Sequence, residues 1–156
     1  MQFFLVVLAE NDDREIARLT ADGQFAIKWS DVLEQAYAAP TAHNGALIAF
    51  CRLLLAAKDN FRTKSWADSE REVNHGLPPR ICIRALTPPA TTDPAYPVLY
   101  MSNQTTTLAR VNADLTWSVR WAEITALMQL PVQEVCVGAL CRVFLAAKDN
   151  FVTTPW

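Results

Sequence analysis

The chain has 156 residues, of which 51% are hydrophobic and 19% are charged, and its formal net charge at pH 7 is −2. This composition predicts a globular domain with a sizeable core and excludes a disordered chain. A net charge so close to zero argues against a nucleic-acid-binding protein, because such proteins carry a basic stripe that contacts phosphates.

The N-terminal residues 1–10 form a short apolar run without basic residues at its start. A signal peptide needs a positively charged start and a small-residue cleavage site, so we interpret this run as a buried first strand. The longest apolar run, residues 45–57, is interrupted by Arg52 and is too short to span a bilayer. We therefore expect a cytoplasmic protein without a membrane partner.

The sequence contains a long internal repeat. Residues 51–61, CRLLLAAKDNF, return as residues 141–151, CRVFLAAKDNF, and Trp66 returns as Trp156. The match extends upstream, where residues 16–22 parallel residues 108–114 and Trp29 parallels Trp121. Because a repeat of this kind determines the architecture, we predict two similar halves related by a pseudo-twofold axis.

We predict an α+β fold in which each repeat is a strand-strand-strand-helix-helix unit and an antiparallel sheet packs on central apolar helices. Repeat 1 covers residues 1–66 and repeat 2 covers residues 98–156. A proline-rich connection at 67–97 joins them; it begins with a helical turn or two and contains an additional edge strand at 81–86. The two repeats share a single core and form one domain.

The predicted strands of repeat 1 lie at 2–10, 14–20 and 24–29, where apolar residues alternate with polar or small ones. A three-residue loop at 21–23, with Gly23 left-handed, places Ala17 and Leu19 opposite residues 27 and 25 on the apolar face. Leu115 occupies the position of Gly23 in repeat 2, so we expect a different turn there.

Two helices follow the strands in each repeat. Ser30 is a predicted N-cap of the first short helix, and its inward residues are Val32, Leu33, Ala36 and Tyr37. The second helices, at 42–58 and 132–148, are apolar on nearly all sides. We expect these two helices to lie buried and adjacent at the pseudo-twofold axis.

The repeated Lys-Asp-Asn-Phe element has a structural and a catalytic interpretation. In the structural one, Asn60 and Asn150 are left-handed caps that end the two long helices, and the preceding lysine complements the helix dipole. In the catalytic one, Lys58 and Asp59 form an acid–base pair, which would require pKa values near neutrality and contact with a substrate. The pattern favours the caps.

Arg52 and Arg142 are isolated charges in apolar helices. Each pairs with an aspartate seven residues on, or extends to the surface, or else lines a cleft that binds an anion or a partner. Trp29 and Trp121 are core residues or line an apolar pocket between the repeats.

Four basic residues fall on the outer face of the predicted sheet in this register. A solvated face is the ordinary interpretation, and a patch that docks an acidic protein or a phosphate is the alternative. The residues are Arg18, Lys28, Arg110 and Arg120.

Four cysteines and two histidines show no CxxC pair and no metal-ligand spacing. We predict buried free thiols, with no metal site and no cofactor. We assign no catalytic residue, because no phosphate loop, nucleophile motif or zinc motif is present.

We therefore expect a small soluble binding or interaction protein without catalytic activity, which binds a protein partner or a second copy of itself. Two alternatives remain open. One is a small-molecule binder with a Trp-lined pocket between the repeats. The other is an enzyme that uses Arg52, Lys58 and Asp59, or the equivalent residues of repeat 2.

Overall fold

A computed structural model of the chain describes residues 4–7, 15–20, 23–41, 45–71, 80–84, 96–100, 107–130 and 135–156. The described residues form an α+β fold with small sheets and five helices. In chain order the elements are β1 (Phe4–Val7), β2 (Glu15–Leu19), β3 (Phe25–Ile27), α1 (Trp29–Ala36), α2 (Gly45–Ala57), β4 (Thr63–Lys64), α3 (Trp66–Arg71), β5 (Arg80–Arg84), β6 (Tyr96–Tyr100), β7 (Thr107–Val111), β8 (Trp117–Val119), α4 (Trp121–Gln129) and α5 (Val135–Ala147).

The strands form two sheets, a five-stranded one in the order β4-β3-β2-β1-β5 and a three-stranded one in the order β6-β7-β8. The prediction of an antiparallel sheet was wrong for the larger one. β1 pairs with β5 in parallel, and β3 pairs with β4 in parallel. Both pairings join strands that are far apart in the chain, and long connections allow a strand to return in the same direction. β5 lies at the sheet edge, where the sequence predicted a strand at 81–86.

The β2–β3 hairpin has the predicted register. Ala17 lies opposite Ile27 and Leu19 lies opposite Phe25. The main-chain N–H of Thr20 donates to the carbonyl of Gln24 at 2.9 Å, which encloses three loop residues. Gly23 is left-handed, with a φ of 82°. The apolar alternation therefore determined both the register and the turn.

The β7–β8 hairpin has the same three-residue turn, so the expectation of a different turn was wrong. Leu115 adopts a φ of 69°, and the N–H of Asn112 donates to the carbonyl of Thr116 at 2.8 Å. Hydrogen bonds from the hydroxyl and the main chain of Thr116 hold the Asp114 carboxylate and lower its pKa. A left-handed leucine costs about 1 kcal/mol, and Leu115 Cδ2 packs closely on Gly45 at the start of α2.

The core lies between the sheets and the two long helices, α2 and α5, which pack against each other as predicted. Among positions 47–54 of α2, Arg52 is the one exposed residue. Among positions 137–144 of α5, it is Arg142. Because apolar side chains cover the remaining surface of these segments, each helix is buried by neighbours on several sides.

The short helix α1 begins two residues earlier than predicted. Its N-cap is Lys28, and Ser30 lies inside the first turn without capping the helix. Val32 and Ala36 are buried, but Leu33 is 51% exposed and Tyr37 is 78% exposed, so the predicted inward orientation of these two was wrong. A helix of two turns buries only a narrow stripe, and positions i and i+4 fill it.

No described helix has both the length and the apolar character that a bilayer-crossing helix needs.

Because residue 23 is left-handed, adding a methyl group there should destabilise the protein. Gly23→Ala should lower the free energy of unfolding by about 1 kcal/mol, because an L-residue is strained at this φ. The new Cβ would also lie 3.2 Å from Nη1 of Arg142, which must shift. Equilibrium urea unfolding measures the change. Ser30→Ala is the matched control and should be neutral; an unchanged stability in Gly23→Ala would show that residue 23 is not held left-handed.

Candidate functional site

The C-terminal ends of α2 and α5 lie side by side and exchange hydrogen bonds. The amide Nδ2 of Asn60, which follows α2, donates to the carbonyl of Ala146 in the last turn of α5 at 3.1 Å. In return, Asn150 Nδ2 donates to the carbonyl of Ala56 in α2 at 3.2 Å. The last carbonyls of a helix have no partner within it. Each asparagine therefore caps the helix of the other half of the chain, and we call these two contacts the crossed caps.

The left-handed conformation predicted for these two asparagines was wrong. Among the described residues, positive φ occurs at Gly23 and Leu115. The N–H of Asn60 instead donates to the carbonyl of Ala57 at 2.9 Å, and that of Asn150 donates to Ala147 at 2.8 Å. The chain thus closes its last turn with tight local bonds, which leaves the side chain free to reach the neighbouring helix.

The other residues of the Lys-Asp-Asn-Phe element attach each helix end to aromatic side chains. Lys58 Nζ lies 5.4 Å from the centre of the Trp29 ring, and Lys148 Nζ lies 5.5 Å from that of Trp121. These distances are within the range of cation–π attraction. Phe151 meets Trp121 edge to face, with ring centres 6.3 Å apart. Phe61 makes the same kind of contact with Phe25 at 6.2 Å.

The candidate acid–base residues all lie at the surface. Lys58, Asp59, Lys148 and Asp149 are exposed, beside the crossed asparagine caps. General acid–base catalysis also needs these groups to contact a substrate, and the structure gives no evidence for or against such contact.

Arg52 and Arg142 lie at two different contacts. Arg52 is exposed, and its Nε donates to the carbonyl of Ala36, the last residue of α1, at 3.1 Å. Arg142 is also exposed and extends towards the loop at Gly23. Within the described residues, neither arginine forms an ion pair with the aspartate seven positions later. Arg52 thus stabilises the end of α1, where a cation complements the helix dipole.

The four basic residues of the outer sheet face are organised around two tryptophans. We call Arg18, Lys28 and Trp66 the first cation–π cluster: Arg18 Cζ lies 3.9 Å and Lys28 Nζ lies 4.5 Å from the centre of the Trp66 ring. The sequence repeat contained Trp66 and Trp156, but nothing in the sequence showed that these indoles would lie over the basic residues.

The second cation–π cluster consists of Arg110, Arg120 and Trp156. The guanidinium carbons lie 4.4 Å and 4.1 Å from the ring centre, respectively. All four cations of the two clusters are half-buried, and Ala26 and Ser118 on the same face are buried. The four cations are thus only partly solvated, because a tryptophan ring lies beside each pair, and a docking role for this face stays a prediction.

A polar network connects residues 153–156 to the β7–β8 hairpin. The Nδ2 of Asn112 lies within hydrogen-bond distance of the hydroxyls of Thr116 (3.2 Å), Ser118 (3.0 Å) and Thr154 (2.8 Å). The Ser118 and Thr154 hydroxyls are 2.9 Å apart. Ala26 is the residue of the first half that corresponds to Ser118, and its side chain is not polar. This network is thus a feature of the second half.

The remaining tryptophans are parts of the packing. Trp29 and Trp121 are half-buried against the core. Trp117 donates its indole N–H to the carbonyl of Ala49 in α2 at 3.1 Å, and its ring meets Phe144 edge to face at 5.1 Å. The predicted Trp-lined pocket between the halves stays a prediction.

The described part of the chain contains no group of three or more His, Cys, Asp and Glu side chains that could hold a metal ion. Cys51 and Cys141 are buried and form no disulfide. Desolvation raises the pKa of the Cys141 thiol to about 11. A thiol in this state is a poor nucleophile, so Cys141 acts as a small apolar residue.

Comparison of the chain with protein-family models, with curated proteins and with solved structures found no match.

The crossed caps predict that two substitutions of Asn60 destabilise the protein to different extents. Asn60→Ala should lower the free energy of unfolding by about 1 kcal/mol, because the Ala146 carbonyl loses its donor. Asn60→Asp should cost more, because it also places a negative charge beside two helix C-termini. Urea unfolding measures both variants. Asp59→Asn is the control and should not destabilise the protein; an Asn60→Asp variant as stable as wild type would contradict the cap.

The buried Cys141 thiol predicts a loss of stability at alkaline pH. Its pKa rises from 9.0 to about 11 on folding. The unfolded chain therefore releases this proton first, and stability falls as pH rises from about 9 to 11, by on the order of 2 kcal/mol. The stabilising contribution is complete below pH 9. Cys141→Ala should show a shallower decline than wild type in denaturant unfolding across this range, and equal slopes would contradict the burial of the thiol.

Proposed function

We propose that this chain is a small binding protein without catalytic activity that associates with a second copy of itself. The observation that carries the proposal is the use of the repeated Lys-Asp-Asn-Phe element. Its asparagines cap the opposite helices, and its lysines and phenylalanines contact aromatic rings. The most strongly repeated polar residues thus hold the fold together, which favours binding over catalysis.

We further propose that the chain arose by duplication of one unit and that a pseudo-twofold axis relates the halves, repeat 1 at 1–66 and repeat 2 at 98–156. Matched contacts support this. The cap from Asn60 to Ala146 corresponds to the cap from Asn150 to Ala56, and the two cation–π clusters use equivalent residues. A two-fold arrangement would place both repeated elements at one end of the α2–α5 pair.

Exposed apolar side chains support self-association. Large apolar residues that a monomer leaves in water are candidates for a contact with another chain, and symmetric homodimers are the commonest oligomers. Four such residues are at least half exposed: Leu33, Tyr37, Leu130 and Val152. Cys51 and Cys141 form no disulfide, which is compatible with a reducing compartment, and the cytoplasm is the location we propose.

Self-association predicts a concentration-dependent mass. Light scattering and sedimentation equilibrium of the full chain should show the average mass rising from that of one chain towards that of two. Added salt should change this little, because apolar contacts are not screened. A mass equal to one chain at every concentration up to the solubility limit would contradict the proposal.

A further inference from the structure

The short segment at 152–156, which we call the strap, is bound as an extended peptide to the edge of the β7–β8 hairpin. Thr153 forms a parallel bridge with Trp117, and the N–H of Thr154 donates to the Trp117 carbonyl at 2.8 Å. A strand added to a sheet edge in this way is a recurring mode of peptide recognition.

Side chains of the same hairpin recognise the strap in detail. We call them the strap site: Arg110, Asn112, Ser118 and Arg120, with the main chain of Trp117. Asn112 and Ser118 bind the Thr154 hydroxyl, and Arg110 Nη2 donates to the main-chain oxygen of Trp156. Arg110 and Arg120 lie over the Trp156 ring. The site therefore selects an extended segment with threonine two residues before tryptophan.

Release of the strap breaks hydrogen bonds of the strap site. Ser118 is 1% exposed, and its hydroxyl has polar partners in the bound state. Arg110 Nε is buried and already has no hydrogen-bond partner among the described residues. Release of the strap therefore breaks these hydrogen bonds, and another segment of the same chemistry can form them again.

The first residue of the strap, Val152, forms a short hinge. Phe151 is half-buried against Trp121, so the chain is held up to this residue. Val152 is 77% exposed, and Thr153 already belongs to the β-bridge. One exposed residue thus separates two anchored ones, and a hinge between anchored segments is a place where a segment can exchange between chains.

The corresponding segment of the first half is held more firmly. Thr63 and Lys64 pair with β3, and Trp66 lies over Arg18 and Lys28 in the same manner. However, Trp66 also begins α3, which packs against β3. Release of this segment would require α3 to leave as well. The first half therefore provides a matched control.

We propose that two copies of this chain associate by exchanging straps, so that the strap site of each copy binds residues 152–156 of the other. The inference rests on the proposed self-association and names the contact that produces it. A second copy is the occupant because its strap reproduces every contact of the original one, so the exchange loses no interaction.

Mixing two full-length variants tests the exchange. Trp156→Ala damages the strap, and Arg110→Ala damages the strap site. Neither variant alone can form an intact contact between Trp156 and Arg110. In a mixed dimer, however, the intact site of the first variant binds the intact strap of the second. We expect each variant alone to dimerise about as well as wild type by light scattering, because the lost contact is missing from monomer and dimer alike. An equimolar mixture should dimerise more than either variant alone.

A second pair and a control make the result decisive. Thr154→Val with Arg120→Ala should behave in the same way, and it covers the case in which Arg110→Ala does not fold. Trp66→Ala mixed with Arg18→Ala should show no restoration. Mixtures that dimerise no more than the separate variants would overturn strap exchange but leave self-association intact. A wild-type chain that is monomeric throughout would overturn both.

Discussion

The arrangement of the whole chain depends on the packing of α2 against α5 with their C-terminal ends together. Each helix end carries a partial negative charge, so two such ends placed side by side repel each other. The crossed amides of Asn60 and Asn150 supply a donor to each end at a carbonyl of the last turn. Because each donor comes from the opposite half, each long helix ends on a hydrogen bond that the other half provides.

The other contacts between the halves follow from this packing. The loop of the first hairpin, at Gly23, meets Arg142 of α5, and the loop of the second, at Leu115, meets Gly45 of α2. Trp117 of β8 donates to a carbonyl of α2. Each sheet therefore packs partly on the helix of the other half, which makes one shared core. The cation–π clusters then cover the sheet faces that point away from this core.

Much of this fold could be predicted from local pattern, because the causes are local. Alternation in β2 and β3 determined the register, and the uniform apolar character of α2 and α5 indicated that they are buried together. What could not be predicted depends on partners far apart in sequence. Asn60 and Ala146 are 86 positions apart, and a left-handed cap was the best local interpretation of Asn60. The turn at Leu115 was mispredicted because the contact of its side chain with Gly45 lies far away in sequence, and the positions of Trp66 and Trp156 over the basic residues could not be predicted for the same reason.

The central claim is that each half caps the long helix of the other, and hydrogen exchange of single amides tests it most directly. In Asn60→Ala, the account predicts that protection falls mainly in the last turn of α5, around Ala146, although the substitution lies after α2. Loss of protection confined to the end of α2, with α5 unchanged, would contradict the crossed caps and the shared core built on them.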